Sequence, residues 1–64
     1  MYIEFDNELM NSRYIGRVKK VDLDKDGTTV YALQYELMNG SNCIKEFDSE
    51  SDRDSEYEAL KSES

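Results

Sequence analysis

Carboxylates dominate the groups that could do chemistry in this chain: fifteen acids stand against eight bases in 64 residues, a net charge of −7. Two groupings have a meaningful spacing. Asp22-x-Asp24-x-Asp26-Gly27 matches the first half of an EF-hand calcium loop, acids at positions one, three and five and glycine at six. The position for the bidentate glutamate is Leu33, however, and both flanks read as strands rather than helices. The expectation is a solvated polar turn, with weak calcium binding by Asp22, Asp24 and Asp26 as the rival reading.

The second grouping lies in residues 50–58. Glu50, Asp54 and Glu58 recur at i, i+4 and form one helical stripe, and Asp52 and Glu56 form another. Acids in a first turn favour the positive end of the helix dipole, which accounts for Glu50 and Asp52. It does not account for Glu56 and Glu58, where like charges at i, i+4 cost roughly 0.2–0.5 kcal/mol each. Two explanations stand: a solvated face that keeps a small protein soluble, or a surface complementary to a basic partner.

Other residue types exclude more than they suggest. The chain has no His and one Cys. A His-dependent base, a Ser-His-Asp or Cys-His site, a structural zinc site and an internal disulfide therefore fall away. Gly16, Gly27 and Gly40 are too far apart to cradle a phosphate. No nucleophile–base pair follows from spacing, so the expectation is a non-enzymatic protein without a cofactor. Cys43 reads as a small half-buried hydrophobe. Arg13, Arg17, Lys19 and Lys20 form a basic strip, but the net charge opposes direct nucleic-acid binding. Edge-strand lysines block strand pairing, and these could also meet the acidic helix of a second copy. Of the five tyrosines, Tyr31 and Tyr35 are expected on the core face and Tyr57 under the helix, with Tyr2 and Tyr14 as surface candidates for partner contact.

The elements that must position these groups follow from periodicity. Residues 2–6 alternate as a half-buried strand, 6–8 turn, and Leu9-Met10 returns briefly to extended structure. Asn11-Ser12 is a second turn. Residues 14–23 read as a strand in which Ile15, Val18 and Val21 are three apart, so a bulge is expected near Lys19-Lys20. Residues 28–38 are the clearest strand, with Tyr31, Leu33, Tyr35 and Leu37 on one face. Asn39-Gly40 signals a hairpin of type I′. A two-residue loop would set Ile44 beside Tyr35 and a three-residue loop Phe47 beside Tyr31, and the sequence does not choose. Residues 49–62 form a helix capped by Asp48 or Ser49, its thin apolar face made of Tyr57 and Leu60 with the Arg53 stem. Residues 63–64 are expected to fray.

The expected fold is α+β: a single small domain 1–64, an antiparallel β-meander of three to four strands (1–48) with one acidic C-terminal α-helix (49–62) packed on one face. Charge divides along this boundary. Residues 1–45 carry seven acids against six bases, and 46–64 carry eight acids against two. No apolar run reaches the ~18 residues of a membrane span. The opening Met1-Tyr2-Ile3-Glu4-Phe5-Asp6 has early acids and no basic stretch, which predicts no secretory leader and a cytoplasmic location. The Asn39-Gly40-Ser41 sequon then carries no weight.

The stretch Tyr2-Ile3-Glu4-Phe5-Asp6-Asn7-Glu8-Leu9-Met10-Asn11, the Asn39-Gly40 hairpin, and Phe47-Asp48-Ser49-Glu50-Ser51-Asp52-Arg53-Asp54 leading into a helix resemble a broad group of tiny phage and bacterial proteins. The layout also resembles that of small flagellar-regulator proteins. Some small acidic phage proteins inhibit host defence systems, anti-CRISPR proteins among them, and this resemblance implies a binding surface with no catalytic residues to carry over. The leading expectation is an acidic protein-interaction module, most concretely a phage-type inhibitor of a basic nucleic-acid-handling or defence protein. Its contacts would be Glu50, Asp52, Asp54, Glu56 and Glu58, with Tyr2 and Tyr14. The alternatives are a homo-oligomeric structural or regulatory module and a weak calcium-binding module.

Overall fold

In a computed structural model the chain forms strands β1 (Tyr2–Phe5) and β2 (Glu8–Asn11), a 3-10 turn (Ser12–Tyr14), strands β3 (Ile15–Lys25), β4 (Thr28–Leu37) and β5 (Asn42–Phe47), and helix α1 (Glu50–Ser62). The structure describes residues 1–5 and 7–62; the expected roles of Asp6 in the first turn and of 63–64 as a frayed end lie outside the described residues. β1 and β2 pair antiparallel as a separate two-stranded sheet, and β3, β4 and β5 form a meander in that order. The architecture is α+β, with the helix packed on the meander.

Turn chemistry sets the registers. Asp26 and Gly27 both take positive φ, 52° and 81°, the pair of angles a two-residue type I′ turn requires. Lys25 therefore sits opposite Thr28, and β3 extends two residues past the expected end at Leu23. The second loop differs. Gly40 has positive φ, but Asn39 does not. Asn39 Oδ1 accepts from the Ser41 amide at 2.9 Å. The Gly40 amide donates to the Leu37 carbonyl at 3.0 Å, and the Leu37 amide to the Ser41 carbonyl at 2.8 Å. This is a three-residue loop closed by a left-handed glycine, not the type I′ turn that Asn-Gly suggests. It places Tyr31 opposite Phe47 and Tyr35 opposite Cys43.

The bulge expected at Lys19-Lys20 lies elsewhere. Register shifts between Ile15 and Arg17, at Gly16, where an added Cβ would stand 3.4 Å from Met38 Sδ and 3.5 Å from the Glu36 carbonyl. The extra residue brings Ile15 and Val18 onto the same face as Leu37 and Tyr35 and leaves Val21 on the other. Ile3, Leu33 and Tyr35 are the buried centre, with Phe5, Ile15, Val18, Leu37, Cys43, Phe47, Tyr57 and Leu60 around it. Phe5 meets Tyr35 edge to face at 5.2 Å, the arrangement ring quadrupoles favour.

The opposite face of the meander carries Val21, Leu23, Val30, Ala32 and Ile44. Lys25 on β3 reaches Glu46 on β5 across β4, and Glu36 holds both Arg17 at 3.2 Å and Lys19 at 3.9 Å. On this face Ala32 is fully buried, while Ile44 stays 52% exposed. Among the described residues no helix is long and apolar enough to cross a membrane.

Candidate interaction surface

The helix divides its charges between two sides. Arg53, Glu56, Tyr57 and Leu60 fall at the i, i+3, i+4, i+7 spacing of one face, and this face meets the sheet. Arg53, a position where an apolar residue would be ordinary, is 5% exposed. Its Nη1 donates to the Val21 carbonyl at 3.1 Å and to Asp22 at 2.7 Å, and its Nε to Asp54 at 3.1 Å. Glu50 lies 3.6 Å from Nη2, and the guanidinium stands 5.2 Å from the centre of the Tyr31 ring. Asp22 raises the Arg53 pKa, outweighing the lowering effect of burial, with Asp54 adding to the rise. One cation thus joins β3, β4 and the helix start.

Glu56 makes the second polar anchor. It accepts from the Tyr35 hydroxyl and from Lys45 Nζ at 3.0 Å. Burial first, then the Glu56 carboxylate, push the Tyr35 phenol well above the ordinary tyrosine range. Lys20 makes the third: its Nζ is 3.4 Å from Asp54 and 4.7 Å from the centre of the Tyr57 ring. Burial alone would lift the Asp54 pKa, but the Arg53 hydrogen bond and Lys20 outweigh it and hold the carboxyl below the ordinary aspartate value. Among the described residues no buried side-chain polar atom lacks a partner.

The acids expected to meet a partner therefore do not act alike. Glu56, 18% exposed at its side chain, is turned into the sheet and withdrawn from any docking face. Asp54, at 40%, is shared with Lys20 and Arg53. Glu50 and Glu58 remain 60% and 62% exposed, and Asp52 is exposed, its amide bonded to the Ser49 cap at 3.1 Å. Glu50, Asp54 and Glu58 border a shallow strip floored by Ser51 and Ser55 on the outer side of the helix. Tyr2 and Tyr14 are exposed, 64% and 63%, but they belong to β1 and the 3-10 turn and do not join the acidic strip.

Asp22 and Asp24 are strand residues rather than loop residues, and Asp22 is committed to Arg53. Among the described residues no group of three His, Cys, Asp or Glu side chains is arranged to hold a metal ion. The basic strip is likewise split: Arg17 and Lys19 lie on the outer face of the sheet and Lys20 on the helix face, because strand residues alternate. Sequence reasoning read Arg53 only as a stem. The signal lay in its place on the stripe with Tyr57 and Leu60, where the sequence offers the helix no other filling for its first inward turn.

In comparisons with known proteins, no protein-family model, no curated protein and no solved structure matches this chain.

Proposed function

We propose that this chain is a non-enzymatic protein-interaction module that presents the outer side of α1 to a basic surface of another protein. The observation that carries the reading is the sorting of carboxylates on one helix. Those facing inward are neutralised by Lys20, Lys45 and Arg53. Glu50, Glu58 and the exposed Asp52 stay outward, with small serines between the first two and Asp54. An acidic strip with a low floor suits lysine and arginine side chains, which reach between the carboxylates without a steric barrier. Such contacts speed encounter and select partners more than they supply affinity. In its most concrete form the partner is a nucleic-acid-handling or defence protein whose basic groove the strip occupies.

The test uses charge reversal where the fold does not depend on the charge. Ser55→Lys with Glu58→Lys turns the strip basic but leaves Glu50, Asp52, Arg53, Asp54 and Glu56 in place. The wild-type chain is expected to capture a basic protein from a lysate at physiological salt, and the double variant to lose it with an unchanged circular dichroism spectrum. Equal capture by both chains overturns the assignment of this face.

A further inference from the structure

The meander separates two ends with opposite character. Lys25 pairs with Thr28 and Tyr31 with Phe47 at one end, and Ile15 pairs with Leu37 and Glu36 with Asn42 at the other. β4 has ten residues, which at ~3.3 Å each account for most of the 34 Å long axis.

At the Leu37 end two large apolar side chains stand out from the surface: Met38 is 72% exposed and Tyr14 63%. They are held together, since the Met38 amide donates to the Tyr14 carbonyl at 2.7 Å. With Met10 and Leu37 they line one apolar hollow. Arg13 beside them is exposed, while Arg17 nearby is paired with Glu36 at 3.2 Å. Exposed tyrosine, methionine and arginine together make the composition of an interface centre rather than of open surface.

The other end offers the counterpart. Thr28, Thr29, Val30, Tyr31, Glu46, Phe47 and Asp48 line a groove at the end of β4 and β5. Around it Asp24 and Asp26 are exposed, while the nearby cations are held, Lys25 on Glu46 and Arg53 buried under the helix. One end thus carries protruding apolar side chains with the exposed Arg13, and the other a groove of mixed polar and apolar lining with carboxylates around it. The net charge of −7 does not decide the contact, because screening acts over ~8 Å at physiological ionic strength, far less than the distance between the ends.

From this complementarity we infer that copies of this chain associate head to tail, the Tyr14–Met38 end of one seated in the Val30–Tyr31–Phe47 groove of the next, with Arg13 facing Asp48. Each patch meets a different patch, so the contact is heterologous. The two patches face opposite ways, so it propagates into a short filament or closes only as a larger ring. The contact is separate from the outer side of the helix and does not rest on the function proposed for it.

Sedimentation of the full chain over a concentration series tests this. The wild type is expected to rise in average mass with concentration, in multiples of its 7.5 kDa. Met38→Asp spoils the head and Asp48→Lys spoils the tail, and each alone is expected to stay monomeric. Mixed one to one, they retain one intact head and one intact tail between them, and the mixture is expected to stop at two copies. Glu58→Lys is expected to assemble as the wild type does. Tyr14→Asp and Thr29→Lys repeat the two lesions, and circular dichroism confirms that each variant is folded. A wild-type mass independent of concentration overturns the inference, as do folded single variants that still assemble or a mixture that stays monomeric.

Discussion

The N-terminal hairpin and the C-terminal helix close over the same face of the meander, but by different physics. β1 brings Ile3, 1% exposed, and Phe5 against Leu33 and Tyr35. That contact is apolar, and burying a side chain such as Ile3 contributes roughly 1.5–3 kcal/mol. The helix brings Tyr57 and Leu60, but its other inward positions are Arg53 and Glu56, held by Asp22, Lys45 and the Tyr35 hydroxyl. Apolar contact is not weakened by charge screening and depends on shape. A charged contact needs partners at fixed positions, and it weakens whenever a partner loses its charge or is screened. The two attachments should therefore come apart under different stresses.

The largest effect belongs to the element they share. Leu33→Ala removes a fully buried side chain beneath both, at a cost of about 2–5 kcal/mol. A domain holds about 0.05–0.15 kcal/mol per residue, which comes to roughly 3–10 kcal/mol here, so the variant is expected to lose a large share of its stability, seen as a lower urea midpoint by circular dichroism. Ile3→Ala is expected to cost less, with the same loss at low and high salt. A salt-dependent loss in Ile3→Ala would erase the contrast between the two attachments.

The helix attachment breaks at Arg53. Arg53→Ala strips the Val21 carbonyl, Asp22 and Asp54 of their shared donor at one stroke. It is expected to lower ellipticity at helix wavelengths while the sheet persists. Arg53→Met keeps the stem over Tyr31 and should fall between the alanine variant and the wild type. A Met variant as helical as the wild type would mean that packing, not charge, holds α1. Acid should act in the same direction. Asp54 has a folded pKa below its ordinary value. Its contribution is present above the unfolded aspartate pKa and is lost as pH falls through the lower, folded one.

Much of this could be read from residue order, and the failures have particular causes. The alternation from Thr28 to Met38 and the capped run after Ser49 are local patterns, and both elements stand within a residue of where those patterns put them, Met38 falling in the loop. The bulge at Gly16 depends on which carbonyl and side chain the strand must pass, Glu36 and Met38, and those come from another strand. The Asn39-Gly40 loop took three residues because Asn39 spends its side chain on the Ser41 amide, a choice a dipeptide signal cannot contain. The acids at i, i+4 on the helix were legible as stripes, but which stripe turned inward was not. That depended on Lys45 arriving opposite Leu33, a consequence of the same loop length.

Tyr35 offers the finest cut, because it serves both attachments with different atoms. Its ring meets Phe5 of the hairpin and its hydroxyl meets Glu56 of the helix. Tyr35→Phe keeps the first and deletes the second, at an expected ~1.5–3 kcal/mol for a hydrogen bond to a charged group. The loss should appear as easier detachment of the helix, with the resonances of Ile3 and Phe5 unmoved in NMR spectra. The variant should also change the alkaline limit. The folded wild type keeps the Tyr35 proton to a higher pH than the unfolded chain does. Stability from this source is thus intact below the ordinary tyrosine value of ~10 and is lost as pH rises beyond it. Phenylalanine has no proton to lose, so that part of the alkaline decline should be missing from Tyr35→Phe. An identical alkaline decline in both chains would show that the hydroxyl is not what couples the helix to the sheet.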